Sequence, residues 1–199
     1  MSTGYEKIIR ENLHRVYAGN AEALEQRLPA SREGNVFRFR AFAEECTLSL
    51  THVAFSEKPD FGPKALLISL YALHVNQQAL KIAPFKSFKE FPCSMPYQGA
   101  FTANSERVLV PHVSRVREFL EKILPPFEGQ TQPEGVTGDF SFLLFPLPKV
   151  ALCYIFYLPD EDFPASVTCL FSSNATSFMP LDGLADVAEY SSRKIIQLI

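Results

Sequence analysis

The chain has 199 residues, 47% of them hydrophobic and 21% charged, a usage that excludes extended disorder. At this length one large domain or two small ones fit, and folding removes roughly 70% of the unfolded surface from water, so neither disulfides nor metals are required to hold it. A net charge of −3 gives no general attraction to phosphate backbones and argues against nucleic acid as a partner.

The N-terminus, MSTGYEKIIRENLHRVY, interleaves charges with apolar residues and lacks the apolar core and small-residue cleavage site of a secretory signal. Nowhere do about 18 apolar residues run together, so no membrane span is expected and the reading is cytoplasmic. Cys46, Cys93, Cys153 and Cys169 are widely spaced, with no C-x-x-C and no Cys/His pair at ligand spacing. Reduced thiols and no metal are expected. Eighteen Phe and no Trp make aromatic packing the expected source of much of the core.

In chain order, Tyr5, Ile8, Ile9, Leu13, Val16 and Tyr17 fall at helical spacing, which predicts an amphipathic helix over about 4–18, stopped by Gly19-Asn20. A second helix over about 21–28 runs to Pro29. Val36 to Phe42 alternates apolar and basic residues, as does Cys46 to Val53 with polar ones, and an acidic turn at Glu44-Glu45 between them completes an antiparallel hairpin. Lys64 to His74 is apolar nearly all round, the mark of an interior helix. Pro84 to Phe101 carries three prolines and five aromatics with little period, and reads as a long packed loop with one helical turn. A helix over about 105–124, reset or kinked by Pro111, leads to a polar Gly/Pro connector at 129–138.

Three strands follow at about 139–146, 149–158 and 166–172; the middle one, Val150 to Tyr157, has no polar face and is expected to be covered on both sides. A helix from Leu181 to Ile199 closes the chain, with Asp182 in its first turn. The expected fold is α+β, a mostly antiparallel sheet of about five strands packed with four or more helices, in one domain over 1–199 with 129–138 as the place for any subdivision.

The motif series LYALHV, SFKEFP, PYQGAF, GDFSFLLFPLPKVALCYIFYLPDEDFP and LFSSNATSFMPLDGL resembles the prokaryotic family named domain of unknown function 3786. The resemblance covers roughly 20–199 and implies anaerobic bacteria and archaea as the setting. Some relatives are joined to iron-sulfur modules of the kind found beside corrinoid proteins, which implies anaerobic one-carbon or redox metabolism. Ser172 stands where the family pattern leads one to expect an aspartate.

Candidate site residues fall in two groups. Asp139 begins one strand of a hairpin and Asp160 and Glu161 follow the end of the next, so all three are expected at one edge, placed to grip a polar ligand or cation. The competing reading is that these carboxylates only bind turn backbone. Phe88, Phe91, Tyr97 and Phe101, with Phe85, are placed to line a pocket for a flat apolar ligand, or else to anchor the loop on the sheet. Cys93 lies in that loop and is the cysteine expected to be exposed, whereas Cys153 and Cys169 are expected to face one another as inert core thiols. His52, on a strand, and His74, at a helix end, are expected to be structural, and His14 and His112 exposed. P-loop, G-x-G-x-x-G, H-E-x-x-H and G-x-S-x-G motifs are absent, which removes the usual support for several enzyme classes. The leading expectation is a cytoplasmic binding or accessory protein holding a small molecule, cofactor or protein. A cation-dependent enzyme using Asp139, Asp160 and Glu161, and a structural subunit of a complex, are the alternatives.

Overall fold

The computed structural model describes residues 4–19 and 21–199; Met1 to Thr3, the start of the segment read above for a signal, and Asn20 of the helix stop lie outside the described residues. Helices α1 (Gly4–Ala18) and α2 (Ala21–Glu25) lead into five strands: β1 (Ser31–Glu33), β2 (Val36–Ala41), β3 (Glu44–Leu48), β4 (Val53–Phe55) and β5 (Lys58–Asp60). They form an antiparallel meander in the order β1-β2-β3-β4-β5. After helix α3 (Pro63–His74) comes a second antiparallel sheet, β6-β10-β9-β8-β7, made of β6 (Lys86–Ser87), β7 (Gln130–Thr131), β8 (Phe140–Leu147), β9 (Val150–Tyr157) and β10 (Ser166–Phe171). The α+β class holds, with two five-stranded sheets in place of the sheet of about five strands read from the sequence.

Hairpin chemistry explains the first sheet. Ala41 pairs with Glu44 and Phe55 with Lys58, so each connection is two residues long. Both residues of each turn, Phe42-Ala43 and Ser56-Glu57, have positive φ, the conformation that matches the twist of the flanking strands. The turn expected at Glu44-Glu45 therefore sits two residues earlier. Phe42 tolerates φ 51° because it is buried: its ring lies 5.8 Å from that of Tyr190 and its N–H donates to Pro146 O at 2.8 Å. The strand expected over Cys46 to Val53 breaks after Leu48, and His52 belongs to the Ser49–His52 turn.

Helix α1 buries a narrower stripe than its periodicity implies, Ile9, Asn12, Leu13 and Val16, while Tyr5 and Ile8 stay exposed. Buried Asn12 donates to Ser69 Oγ of α3 at 3.0 Å, which removes the penalty of an unpaired polar group. Helix α4 (Met95–Phe101) fills the end of the stretch read as a loop, and the helix expected over 105–124 is a chain of short segments: the end of a π-turn at Thr102–Glu106, a 3-10 stretch at Arg107–His112 that holds Pro111, then α5 (Val113–Glu118) and α6 (Leu120–Ile123). Proline at 111 lacks the N–H that a continuous ladder needs. Helix α7 (Leu181–Leu198) buries Leu184, Val187, Ala188 and Ile195.

Strand β9 lies at the centre, buried from Val150 to Phe156. Leu152, Tyr154 and Phe156 join the main core with α1, α3, α7 and residues of both sheets. The opposite face, with Leu143, Ala151, Cys153 and Ile155, is covered by Leu80, Ile82, Phe85 and Val136. Alternate residues point to opposite faces, and each face finds its own apolar cover.

Candidate functional site

The edge predicted to gather carboxylates is formed where β8 begins and β9 ends. Phe140 pairs with Phe156 and their rings stack at 4.5 Å, fixing Asp139 opposite the last residue of β9. Asp139 N donates to Phe156 O at 3.0 Å, and its Oδ2 accepts the Leu158 N–H at 2.6 Å. Asp160 Oδ1 accepts the N–H groups of Asp162 and Phe163 at 2.9 and 2.7 Å, folding residues 160–163 into a tight turn. Tyr157 OH donates to Thr137 O at 3.0 Å and closes the same rim.

Asp139 and Asp160 face one cleft of about 530 Å³, with Tyr157, Leu158, Phe163 and Pro164 as its apolar wall. Phe163 is 70% exposed and Tyr157 41%, so the cleft presents two aromatic rings to water. Glu161 is exposed on the same turn, outside the cleft lining. Each aspartate thus spends one oxygen on turn backbone and keeps the other, the chemistry of an acceptor for a donor or positive group laid against an apolar body. Among the described residues no group of three or more His, Cys, Asp or Glu is placed to hold a metal ion.

The aromatic loop residues are placed elsewhere. The loop is more ordered than expected: β6 adds an edge strand to β10, and Glu90 Oε2 accepts both the N–H and the hydroxyl of Ser87 at 2.6 Å, starting a 3-10 turn at Phe88–Glu90. Phe88, Phe91 and Phe101 are buried and surround Phe171, with ring centroids 5.7 to 5.9 Å from it; Phe88 and Phe101 stack at 4.4 Å. This cluster is at the C-terminal end of β10 and the carboxylate rim at its start, about 17 Å apart at strand spacing. Tyr97, 41% exposed, and the edge of Phe101 border a shallow groove against Asp182, Asp186 and Glu189 of α7. Cys93 is exposed, with φ 64°.

Cys153 and Cys169 do not face one another. Cys153 pairs with Leu170 and Cys169 with Tyr154, so the two thiols point to opposite faces of the sheet. Burial pushes both upward, Cys153 to about 12. Ser172, at the position of the expected aspartate, is fully buried, where its Oγ accepts the Ala151 N–H at 3.3 Å. His52 Nδ1 lies 2.9 Å from Thr51 Oγ1, and His74 Nδ1 is 2.8 Å from Leu70 O, both local turn or helix-end roles. His14 is exposed and His112 half-buried.

A feature missed in the sequence lies on the other side of the core. Glu44 Oε1 is 3.1 Å from both Lys64 Nζ and Lys194 Nζ, in a cleft that Phe42, Tyr190 and Arg193 complete. Burial of Glu44 works to raise its carboxyl, but the two ammonium groups outweigh it and hold the carboxyl below its usual value.

Two antiparallel five-stranded sheets, the second centred on a doubly covered strand with a carboxylate-and-aromatic rim at one end, define the class of this α+β protein. The chain belongs to the family described as domain of unknown function (DUF3786), whose model matches residues 20–194. Comparison with curated proteins and with solved structures finds no match. No helix among the described residues is long and apolar enough to cross a membrane.

Proposed function

We propose that the chain is a binding protein whose ligand occupies the rim cleft between Asp139, Asp160 and Phe163. The supporting observation is Phe163 itself, held 70% exposed by the Asp160 turn above a cleft that carries two carboxylates. An exposed ring fixed in place by backbone bonds offers contact area with little loss of freedom on binding. The carboxylates select for a hydrogen-bond donor or positive charge, so the ligand class is a small molecule with a flat apolar body and an amine or amide end. The aromatic loop anchors β10 and stays outside this site. The family resemblance supports a cytoplasmic accessory role in anaerobic metabolism. The reading as a cation-dependent enzyme has less support, because Glu161 lies outside the cleft lining and two carboxylates alone face the cleft.

Benzylamine is a direct probe, with benzoate as its charge-reversed control. In amide-resolved NMR titrations, benzylamine is expected to shift Tyr157 to Ser166 selectively, and Asp160→Asn and Phe163→Ala to weaken the response. Equal responses to benzylamine and benzoate, or shifts confined to other parts of the chain, would refute the assignment. Magnesium or manganese shifting the same residues in place of benzylamine would favour the cation-dependent reading.

A further inference from the structure

The Glu44 cleft, of about 340 Å³, has a charge arrangement opposite to that of the chain as a whole. Lys64 comes from the first turn of α3, and Arg193 and Lys194 from the last turns of α7; Glu44 is the one carboxylate among the residues that line the cleft, and it meets the two lysines but not Arg193. Both lysine side chains are only 22% exposed, and both ammonium groups share one oxygen of Glu44. Lys64 Nζ also sits 3.7 Å from the centroid of the Phe55 ring, which fixes its position. Each ammonium has three donors, so the shared oxygen leaves donor capacity on both. Arg193 pairs with Glu189 at its flank, and Glu189 is drawn the other way by Asn104 Nδ2 at 2.7 Å.

Lys64 also breaks a local rule. A cation in the first turn of a helix faces the positive end of the backbone dipole, and α3 has no acid in its first turn. Glu44, reaching over from β3, supplies the negative charge that the place calls for. It stands where an external anion would be held by the same groups, and the partly buried Tyr190 ring, packed on Phe42, forms an apolar wall beside it. The cleft is separate from the rim: the Phe42 N–H bond to Pro146 O places it near the far end of β8, on the order of 20 Å from Asp139 at strand spacing.

We propose that this cleft is a second binding site, for the phosphate monoester of a small flat molecule, with Lys64, Arg193 and Lys194 as anion contacts, Tyr190 against the ligand's body and Glu44 as the internal group the phosphate displaces. Glu44 then tunes affinity by competing for the lysines.

Calorimetric titration with phenyl phosphate tests the proposal on the full chain. Glu44→Gln is expected to bind about tenfold more tightly than the natural protein, because the competing charge is gone, and Lys194→Met and Arg193→Gln about tenfold more weakly, the value of one charge-assisted hydrogen bond. Binding is expected to weaken as salt rises from about 50 mM to about 300 mM, as the screening length shortens, and inorganic phosphate is expected to bind more weakly than phenyl phosphate. If Lys194→Met fails to fold, the 58% exposed Arg193 and the isosteric Glu44→Gln change carry the test. A triad that only ties β3 to α3 and α7 predicts no heat of binding in either the natural chain or Glu44→Gln, and that result overturns the site. Binding that Glu44→Gln leaves unchanged or weakens overturns it equally.

Discussion

Asp139, the residue before β8, accepts the Leu158 N–H at 2.6 Å, just beyond the end of β9, so one carboxylate ties the start of β8 to the end of β9 and closes the open end of the hairpin. Asp139→Ala is expected to lower unfolding free energy by about 1 kcal/mol, the net worth of an exposed hydrogen bond to a charged group. Asp139→Asn, which keeps an acceptor oxygen, is expected to lose less. Urea unfolding measures both, and faster amide exchange at Leu158 in the alanine variant locates the effect. Gly138→Ala should cost more, because a Cβ there would lie 2.6 Å from Ile155 Cγ2 and 3.2 Å from Phe156 O.

Phe171 holds the aromatic loop by contact with Phe88, Phe91 and Phe101 at once. Phe171→Ala is expected to cost about 3–5 kcal/mol and to loosen residues 86–101 together, while Phe171→Leu, which fills more of the cavity, loses less. Thermal unfolding ranks the two, and an alanine variant as stable as the natural chain would contradict the packing described.

Thiol accessibility separates the four cysteines. Cys93 is exposed, whereas Cys46, Cys153 and Cys169 are buried and burial pushes their thiols upward. A disulfide-exchange reagent is expected to titrate one thiol in the native protein and four after denaturation. Cys93→Ser should abolish the native reaction.

Glu106, in the π-turn, accepts the Cys169 N–H at 3.0 Å. Burial raises its carboxyl above the usual value, opposed by that bond, the Thr102 hydroxyl and Arg107. The folded value exceeds the unfolded one, so between them the native chain binds more protons, and stability falls as pH rises through the window just above the ordinary glutamate range. Glu106→Gln keeps an acceptor and removes the desolvated charge. Its stability relative to the natural chain is expected to grow as pH rises across that window, measured by urea unfolding at a series of pH values; a constant or shrinking difference would contradict the burial argument.

Strands β8, β9 and β10 were legible because long apolar runs between prolines leave few alternatives, and β9 showed its double cover by lacking a polar face. The rim of Asp139 and Asp160 followed from hairpin connectivity alone. Strands β1, β4, β5, β6 and β7 are two or three residues long, too short to show a period. The Phe42-Ala43 and Ser56-Glu57 turns carry none of the Gly or Asn that mark such turns, because neighbouring packing sets their backbone in place of local preference. The pocket reading of Phe88 and Phe91 rested on exposure that a loop's composition does not encode. The Glu44 cleft was invisible for a different reason: Glu44 and Lys194 are 150 residues apart, and only the packing of α7 on the β2–β3 turn brings them together.

The outer face of β9 is covered by a segment without regular structure, residues 79–85, pinned by Asn174, whose side chain bonds Lys81 N and Ala79 O at 2.9 Å each. With the Ser173 N–H, which donates to Lys81 O at 2.8 Å, Asn174 holds this segment over a small apolar compartment that meets the main core at Leu80. Should the segment lift, Leu143, Ala151 and Ile155 meet water while α1, α3 and α7 keep their packing, a partial opening far cheaper than unfolding. Cys153 lines that compartment, so of the three concealed thiols it is the one such an opening would uncover.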